Sequence, residues 1–199
     1  QDHLLPAPNK VKKVTHHRAL PIDDMPAFMR DLKRRDGTAA RALEFTILTA
    51  SRSGEVRGAT WSEVDLNERV WTVPAERMKA HREHRVPLSE AAVTLLKAQR
   101  PDDGKARKPE DVSTLIFPAP RGGPLSARAL TSVLRRICAD AVPHGFRSTL
   151  RDWAGERTDF PREVAEQALA HTLESKVEAA YRRGDSLDKR RKLMSDWAE

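Results

Sequence analysis

Cysteine is nearly absent from this 199-residue chain: Cys138 is the only one, so no intramolecular disulfide can staple the fold. A hydrophobic core must hold it, and reducing conditions would do it no harm. Aromatic residues make up 5 % of the chain, and Tyr181 is its one tyrosine. The exposed stacking platforms on which RNA-binding domains read bases are therefore lacking. No apolar run approaches the roughly 20 residues of a membrane span, and the first residues lack the apolar core of a secretion signal. A soluble, cytoplasmic protein is expected. No Walker-type phosphate loop occurs, and the pair His16-His17 has no further ligands at metal-binding spacing. The expectation is a protein without nucleotide, metal or other cofactor.

Charge, by contrast, is plentiful. Charged residues are 33 % of the chain and the balance is +7, which favours a polyanionic partner. Between Arg121 and Arg151 six arginines face one acid, Asp140, so this short stretch carries +5 of that balance. A mildly basic solvated surface is the plain explanation; the cluster's position beside a His-x-x-Arg sequence argues for a surface that faces phosphates.

The length suits one domain with a proper core. Residues 1–17 contain proline and lysine without apolar periodicity and read as a linker, whose Lys10, Lys12 and Lys13 suit contact with a polyanion. A helix is predicted from about Asp23, which is placed at its N-cap, with Met25, Phe28, Met29 and Leu32 at helical spacing and Gly37 as its stop. Thr38 to Ala50 is apolar on most sides and predicts a helix at the centre of the core. Trp61 to Val73 is β-prone around a turn at Asp65–Glu68, and a third strand is predicted around Arg85 to Leu88. Ser89 is predicted to cap a helix to about Gln99, Arg100 to Asp111 reads as a loop, and Ser126 is predicted to cap a helix through Ile137 with Cys138 in the core. After His144 a helix turns Phe146, Leu150 and Trp153 inward and leaves Arg147 and Arg151 on another face. Pro161 opens a further helix that ends at Ala170-His171, and Leu187, Met194 and Trp197 mark a last helix with a narrow apolar stripe.

The chemistry concentrates between Pro143 and Tyr181. His144 and Arg147, three apart, can share one side of a helix entrance; an arginine fork suits a phosphate, and a histidine moves protons near neutral pH. A phenol downstream is a potential nucleophile. Singly, each has an ordinary explanation: a hydrogen-bonded histidine, a surface charge, and a core tyrosine in line with Leu173 and Val177. Arg52 is likewise explained as a cation at a helix C-terminus, and Lys79 as a solvated hairpin tip.

Together the residues form a known pattern. His144-x-x-Arg147, Leu169-Ala170-His171 and Tyr181, preceded by Arg52-Ser53-Gly54-Glu55 and by Lys79 in a predicted hairpin, resemble the signature of the tyrosine recombinases, the phage-integrase family, in its prophage and genomic-island branch. The resemblance runs from about Arg18 onward and implies a mainly α (α+β) fold, a helical catalytic domain over 18–181 with a small three-stranded antiparallel sheet. Residues 182–199 are then a tail helix that packs on its own domain or links protomers.

It implies further that Tyr181 is the nucleophile, Arg52 and Arg147 clamp the phosphate, His144 is general base, Lys79 general acid, and His171 a hydrogen-bond donor. Glu55 is expected to hold Arg52. Arg128, Arg135, Arg136, Arg82, Arg85 and Arg151 are expected on DNA, gripping phosphates rather than reading bases. Arg77 competes with Lys79 by position, but its high pKa makes it a poor proton donor. Ala170 stands where much of the family has glycine, and ordinary backbone angles are expected there.

The implied function is site-specific cleavage and joining of DNA strands that integrates or excises a mobile element. The implied partners are double-stranded attachment sites, a homotetramer in synapsis with a monomeric isolated fragment, and an excisionase or DNA-bending accessory protein. The N-terminal DNA-binding domain usual in the family is expected upstream of this stretch. Two alternatives stay open: a type IB topoisomerase-like activity that nicks and reseals one strand, and a DNA-binding module without catalysis.

Overall fold

The computed structural model describes residues 19–100, 114–171 and 185–199; the predicted linker, most of the 100–111 loop and Tyr181 lie outside them. The described residues form eight α-helices and a three-stranded antiparallel sheet. In chain order these are α1 Met25–Lys33, α2 Thr38–Thr49, α3 Ser53–Arg57, strands β1 Val64–Asp65, β2 Val70–Val73 and β3 His84–Pro87, then α4 Glu90–Gln99, α5 Ala129–Arg135, α6 Gly145–Arg157, α7 Arg162–Ala168 and α8 Leu187–Trp197.

The α2 helix is central because its apolar residues lie on most sides and its polar ones are paired within the fold: Ala42, Leu43, Phe45 and Ile47 are buried, the Thr46 and Thr49 hydroxyls donate to the Ala42 and Phe45 carbonyls, Arg41 pairs with Glu44, and α1, α3, α4, α5 and α8 pack around it. Phe45 meets Trp71 of β2 and Phe117 with ring centroids 5.3 and 5.5 Å apart, joining helices to sheet. In the sheet, Trp71 lies opposite Val64 and Val86, and Val73 opposite His84. The Asp65 carboxylate closes the β1–β2 turn by accepting from the Asn67 and Glu68 amides at 2.9 Å. A second, smaller cluster joins α6, α7 and α8 through Leu150, Val164, Leu169, Leu193 and Met194, with Ala50 at its border. Arg147 sits on α6 between Phe146 of the large cluster and Leu150 of the small one.

Several local expectations are revised. Asp23 makes no cap; its carboxylate pairs with Arg157 at 2.8 Å, and a short 3-10 turn over Ile22–Asp24 precedes α1. Trp61 stands in a 3-10 turn, because Glu63 accepts from the Thr60 amide and bends the chain before β1. The α5 helix begins at Ala129 rather than at Ser126, whose side chain caps nothing, and Cys138 falls beyond its end, partly buried. Ser89 does cap α4, accepting from the Ala92 amide at 3.3 Å. No helix of the described residues is long and apolar enough to cross a membrane.

Candidate active site

Arg52 leaves the end of α2 as the N-cap of α3. Its backbone amide donates to one oxygen of Glu55 and its guanidinium to the other, both at 2.8 Å. Glu55 is 4 % exposed, so one buried carboxylate fixes both the backbone and the side chain of Arg52. The turn that delivers Arg52 begins at Ala50, whose φ of 49° is left-handed.

Arg147 is not on an outer face of α6. It is 4 % exposed, and its guanidinium donates to the Ala50 carbonyl and the Leu169 carbonyl, each at 2.5 Å, and reaches His171 Nε2 at 3.1 Å. Arg147 turns inward because these acceptors receive it; Arg151, four residues on, stays exposed. Burial, then the neighbouring positive charge of Arg52, lowers the Arg147 pKa to about 10. Two guanidinium groups are thus held close together, and no carboxylate hydrogen-bonds to Arg147 among the described residues.

His171 is oriented from its other side. Its Nδ1 lies 2.6 Å from Glu166 Oε2, and Glu166, 8 % exposed, also lies 2.9 Å from Arg151 Nε. With Arg147 donating to Nε2, the hydrogen-bond pattern assigns the Nδ1–H tautomer. Burial, with Arg147 and Arg52 adding to it, lowers the His171 pKa against the opposing pull of Glu166. The balance favours the neutral imidazole.

The backbone before His171 departs from expectation. Ala170 has a φ of 48°, in the left-handed region where glycine is favoured. The reason is the way α7 ends: the Ala170 amide donates to the Gln167 carbonyl and the His171 amide to the Glu166 carbonyl, at 3.0 and 2.9 Å, a Schellman ending that needs a left-handed residue between them. That ending presents both the Leu169 carbonyl and the His171 ring to Arg147.

Lys79 lies in the β2–β3 connection, exposed, in a turn that the His81 amide closes on the Met78 carbonyl at 3.0 Å. No hydrogen bond or ion pair joins it to the arginine pair. His144 is exposed at the N-terminus of α6, where its carbonyl accepts from the Arg147 amide at 3.2 Å. Arg82, Arg128, Arg135 and Arg136 are exposed; Arg85 and Arg151, also exposed, are drawn into ion pairs with Asp185 and Glu166. The structure therefore brings Arg52, Glu55, Arg147 and His171 together and shows Lys79 and His144 exposed; Tyr181 lies outside the described residues.

Sequence reasoning missed Glu166 and His84. An acid one helical turn before Leu169-Ala170-His171 is the only signal for Glu166. His84, one residue before the predicted start of the third strand, opens β3 and lies near Arg190, Glu55, Arg147 and the Ala168 carbonyl; burial first, then Arg190, lowers its pKa to about 4. No group of three or more His, Cys, Asp or Glu among the described residues is placed to hold a metal.

Comparison with known proteins finds integrases among the relatives of this chain. The chain is 33 % identical over 183 residues to the prophage integrase IntA of Escherichia coli (strain K12), covering 89 % of this chain and 42 % of that protein. It is 31 % identical over 208 residues to the integrase of Enterobacteria phage P4, covering 94 % of this chain and 46 % of the relative. The chain thus spans less than half the length of these two curated relatives. Among solved structures the fold matches the integrase from mycobacterium phage Brujita with a TM-score of 0.64 at 19 % identity, over 91 % of this chain and 58 % of that one. It matches a lambda integrase dimer bound to a core site with a TM-score of 0.58 at 18 % identity, over 87 % of this chain and 62 % of the other. Residues 18–186 match the phage integrase family along most of the chain, and the protein belongs to that family.

Proposed function

We propose that this chain cleaves and rejoins duplex DNA at specific sites, through a covalent 3′-phosphotyrosyl intermediate, to integrate or excise a mobile element. The observation that carries this reading is the preorganised pair Arg52 and Arg147, one fixed by a buried carboxylate and the other by carbonyls, converging with His171. Charge on non-bridging phosphate oxygens is what such a clamp stabilises.

In the proposed step the Tyr181 phenol oxygen attacks phosphorus and its proton passes to His144. The bond from phosphorus to the 5′ oxygen breaks, Lys79 protonates that oxygen, and a 5′-hydroxyl leaves. A second strand's hydroxyl reverses the sequence, so bond energy is kept in the phosphotyrosine and no nucleotide is consumed. His171 acts as donor at Nε2 once protonated; the incoming phosphodiester supplies negative charge that favours the imidazolium, and Glu166 stabilises it from behind.

The relatives extend the proposal to partners. Structural neighbours include a lambda integrase tetramer bound to a Holliday junction and a Tn1549 transposon integrase with circular-intermediate DNA. By analogy this chain acts on attachment-site duplexes in a homotetramer, assisted by a DNA-bending or excision factor, in the cytoplasm. No observation favours the topoisomerase-like or non-catalytic alternatives.

The test is covalent trapping. A pool of nicked duplexes of randomised sequence is mixed with the chain, adducts are isolated on a denaturing gel, and the modified residue is mapped by mass spectrometry. The expected adduct forms in EDTA, sits on Tyr181 and vanishes in Tyr181→Phe. Replacing Arg52 or Arg147 by Ala is expected to slow its formation about 10²–10³-fold. DNA binding with no adduct under any condition would leave the non-catalytic module standing instead.

A further inference from the structure

Arg77 precedes the proposed proton donor, Lys79, by two residues, and its guanidinium is the last fixed side-chain charge before an exposed loop. Its Nη1 donates to the Glu55 carbonyl at 2.8 Å, across 22 positions of sequence, and its Nη2 is paired with Glu63. Glu63 is itself held, accepting from Trp71 Nε1 on β2 at 3.0 Å and from the Thr60 amide at 3.3 Å. Both charged side chains are mostly buried.

Gly58 gives independent evidence of fit. Its backbone angles are ordinary, so conformation does not call for glycine there. A Cβ at that position would lie 2.8 Å from Arg77 Nη1, so any other residue would press on the guanidinium in the place its hydrogen bonds give it. The end of α3 is shaped around this guanidinium.

Beyond Met78, which is buried, residues 79–83 make no side-chain hydrogen bond among the described residues, and all five are exposed. Whatever registers this loop against the arginine pair must act at its roots. One root is β3, paired with β2; the other is Arg77. Its partner on α3, Glu55, is the residue that fixes Arg52.

We infer that Arg77 is a positioning residue for catalysis, a brace that sets the distance between the loop carrying Lys79 and the helix carrying Arg52, with Glu63 and Gly58 as its fittings. This inference rests on the proposed role of Lys79 as general acid and adds a residue to it. Arg77 need not touch DNA or move a proton. Its loss would leave the clamp intact and let the proton donor drift, and a displacement near 1 Å costs a reaction about 100-fold.

The test uses a substrate that needs no proton donor. The duplex enriched by trapping is made in two forms, with oxygen or with sulfur at the 5′ bridging position. A thiol titrates near 8.5, so a thiolate leaves unaided where an alkoxide does not. Adduct formation is timed for the unaltered chain and for Lys79→Ala, Arg77→Met, Glu63→Gln and Arg52→Ala, with thermal melting alongside.

The expected result is a loss of about 10- to 100-fold for Arg77→Met on oxygen, restored to within a few-fold of the unaltered chain on sulfur. Lys79→Ala should be restored in the same way and Arg52→Ala should not. Glu63→Gln keeps shape and removes only charge; should Arg77→Met melt, it must show the same sulfur rescue. An Arg77 or Glu63 defect of equal size on both substrates, or no defect at all, overturns the brace while the Lys79 role stands. If Lys79→Ala itself is not rescued by sulfur, its general-acid role falls and the brace falls with it.

Discussion

At the scale of single residues, the two left-handed alanines are the most exposed to test. Alanine in that conformation costs roughly 1–2 kcal/mol, while glycine adopts it freely at some entropic cost in the unfolded chain. Ala170→Gly is therefore expected to stabilise the domain by about 0.5–1 kcal/mol, read as a rise in denaturant midpoint without a change in slope. His84 gives the opposite kind of prediction. Its folded pKa of about 4 lies below the unfolded value of 6.5, because burial and Arg190 oppose its charge. As pH falls from 6.5 towards 4 the unfolded chain takes up a proton that the folded chain refuses, and up to about 3 kcal/mol of stability is lost. Above pH 6.5 that contribution is fully present. His84→Gln should flatten this part of the curve of melting temperature against pH; an unchanged curve would show that other groups carry it.

At the scale of elements, α8 of the single chain rests on α7, β3 and α2. Leu193 and Met194 are buried and Trp197 donates to the Ile47 carbonyl at 2.9 Å. Arg190, 1 % exposed, donates to the Arg85 carbonyl of β3 at 2.5 Å and to Asp185 through its carbonyl at 2.7 Å and its carboxylate at 2.8 Å. Arg190→Met keeps bulk and removes these donors, and is expected to cost about 2–4 kcal/mol, with α8 amides exchanging hydrogen ahead of those in α2. Simultaneous exchange of both helices would mean that α8 is not separately latched.

This helix also shows where sequence reading stops. Its stripe looked narrow because arginine counts as polar, yet Arg190 belongs to the buried face with Leu193, Met194 and Trp197. The α2 core helix, the three strands and the Arg52–Glu55 pair were legible, since each follows from periodicity or from a spacing of three residues. The Glu55 carbonyl that receives Arg77 and the Ala50 and Leu169 carbonyls that receive Arg147 were not, because a carbonyl carries no residue identity. Ala170 misled for a related reason: its angle follows from two hydrogen bonds at the end of α7, and the side chain gives no hint of them.

At the scale of the molecule, the +7 balance is distributed unevenly in its availability. Arg128, Arg135 and Arg136 are exposed around α5, whereas Arg85 and Arg151 are committed to Asp185 and Glu166. If the former grip phosphates, Arg135→Ala and Arg136→Ala should each reduce the slope of log affinity against log salt by about 0.9, and Arg85→Ala should leave it unchanged. Equal slopes for all three variants would place the DNA on another face. Arg147 stands where the two hydrophobic clusters meet, at the carbonyl ends of α2 and α7. Each helix end carries about half a negative charge, so the buried guanidinium is balanced by dipoles that neither titrate nor depart. Among the described residues no carboxylate hydrogen-bonds to it for an arriving phosphate to displace. A lysine at position 147, with one compact head, would be unable to serve both helix ends and the phosphate together.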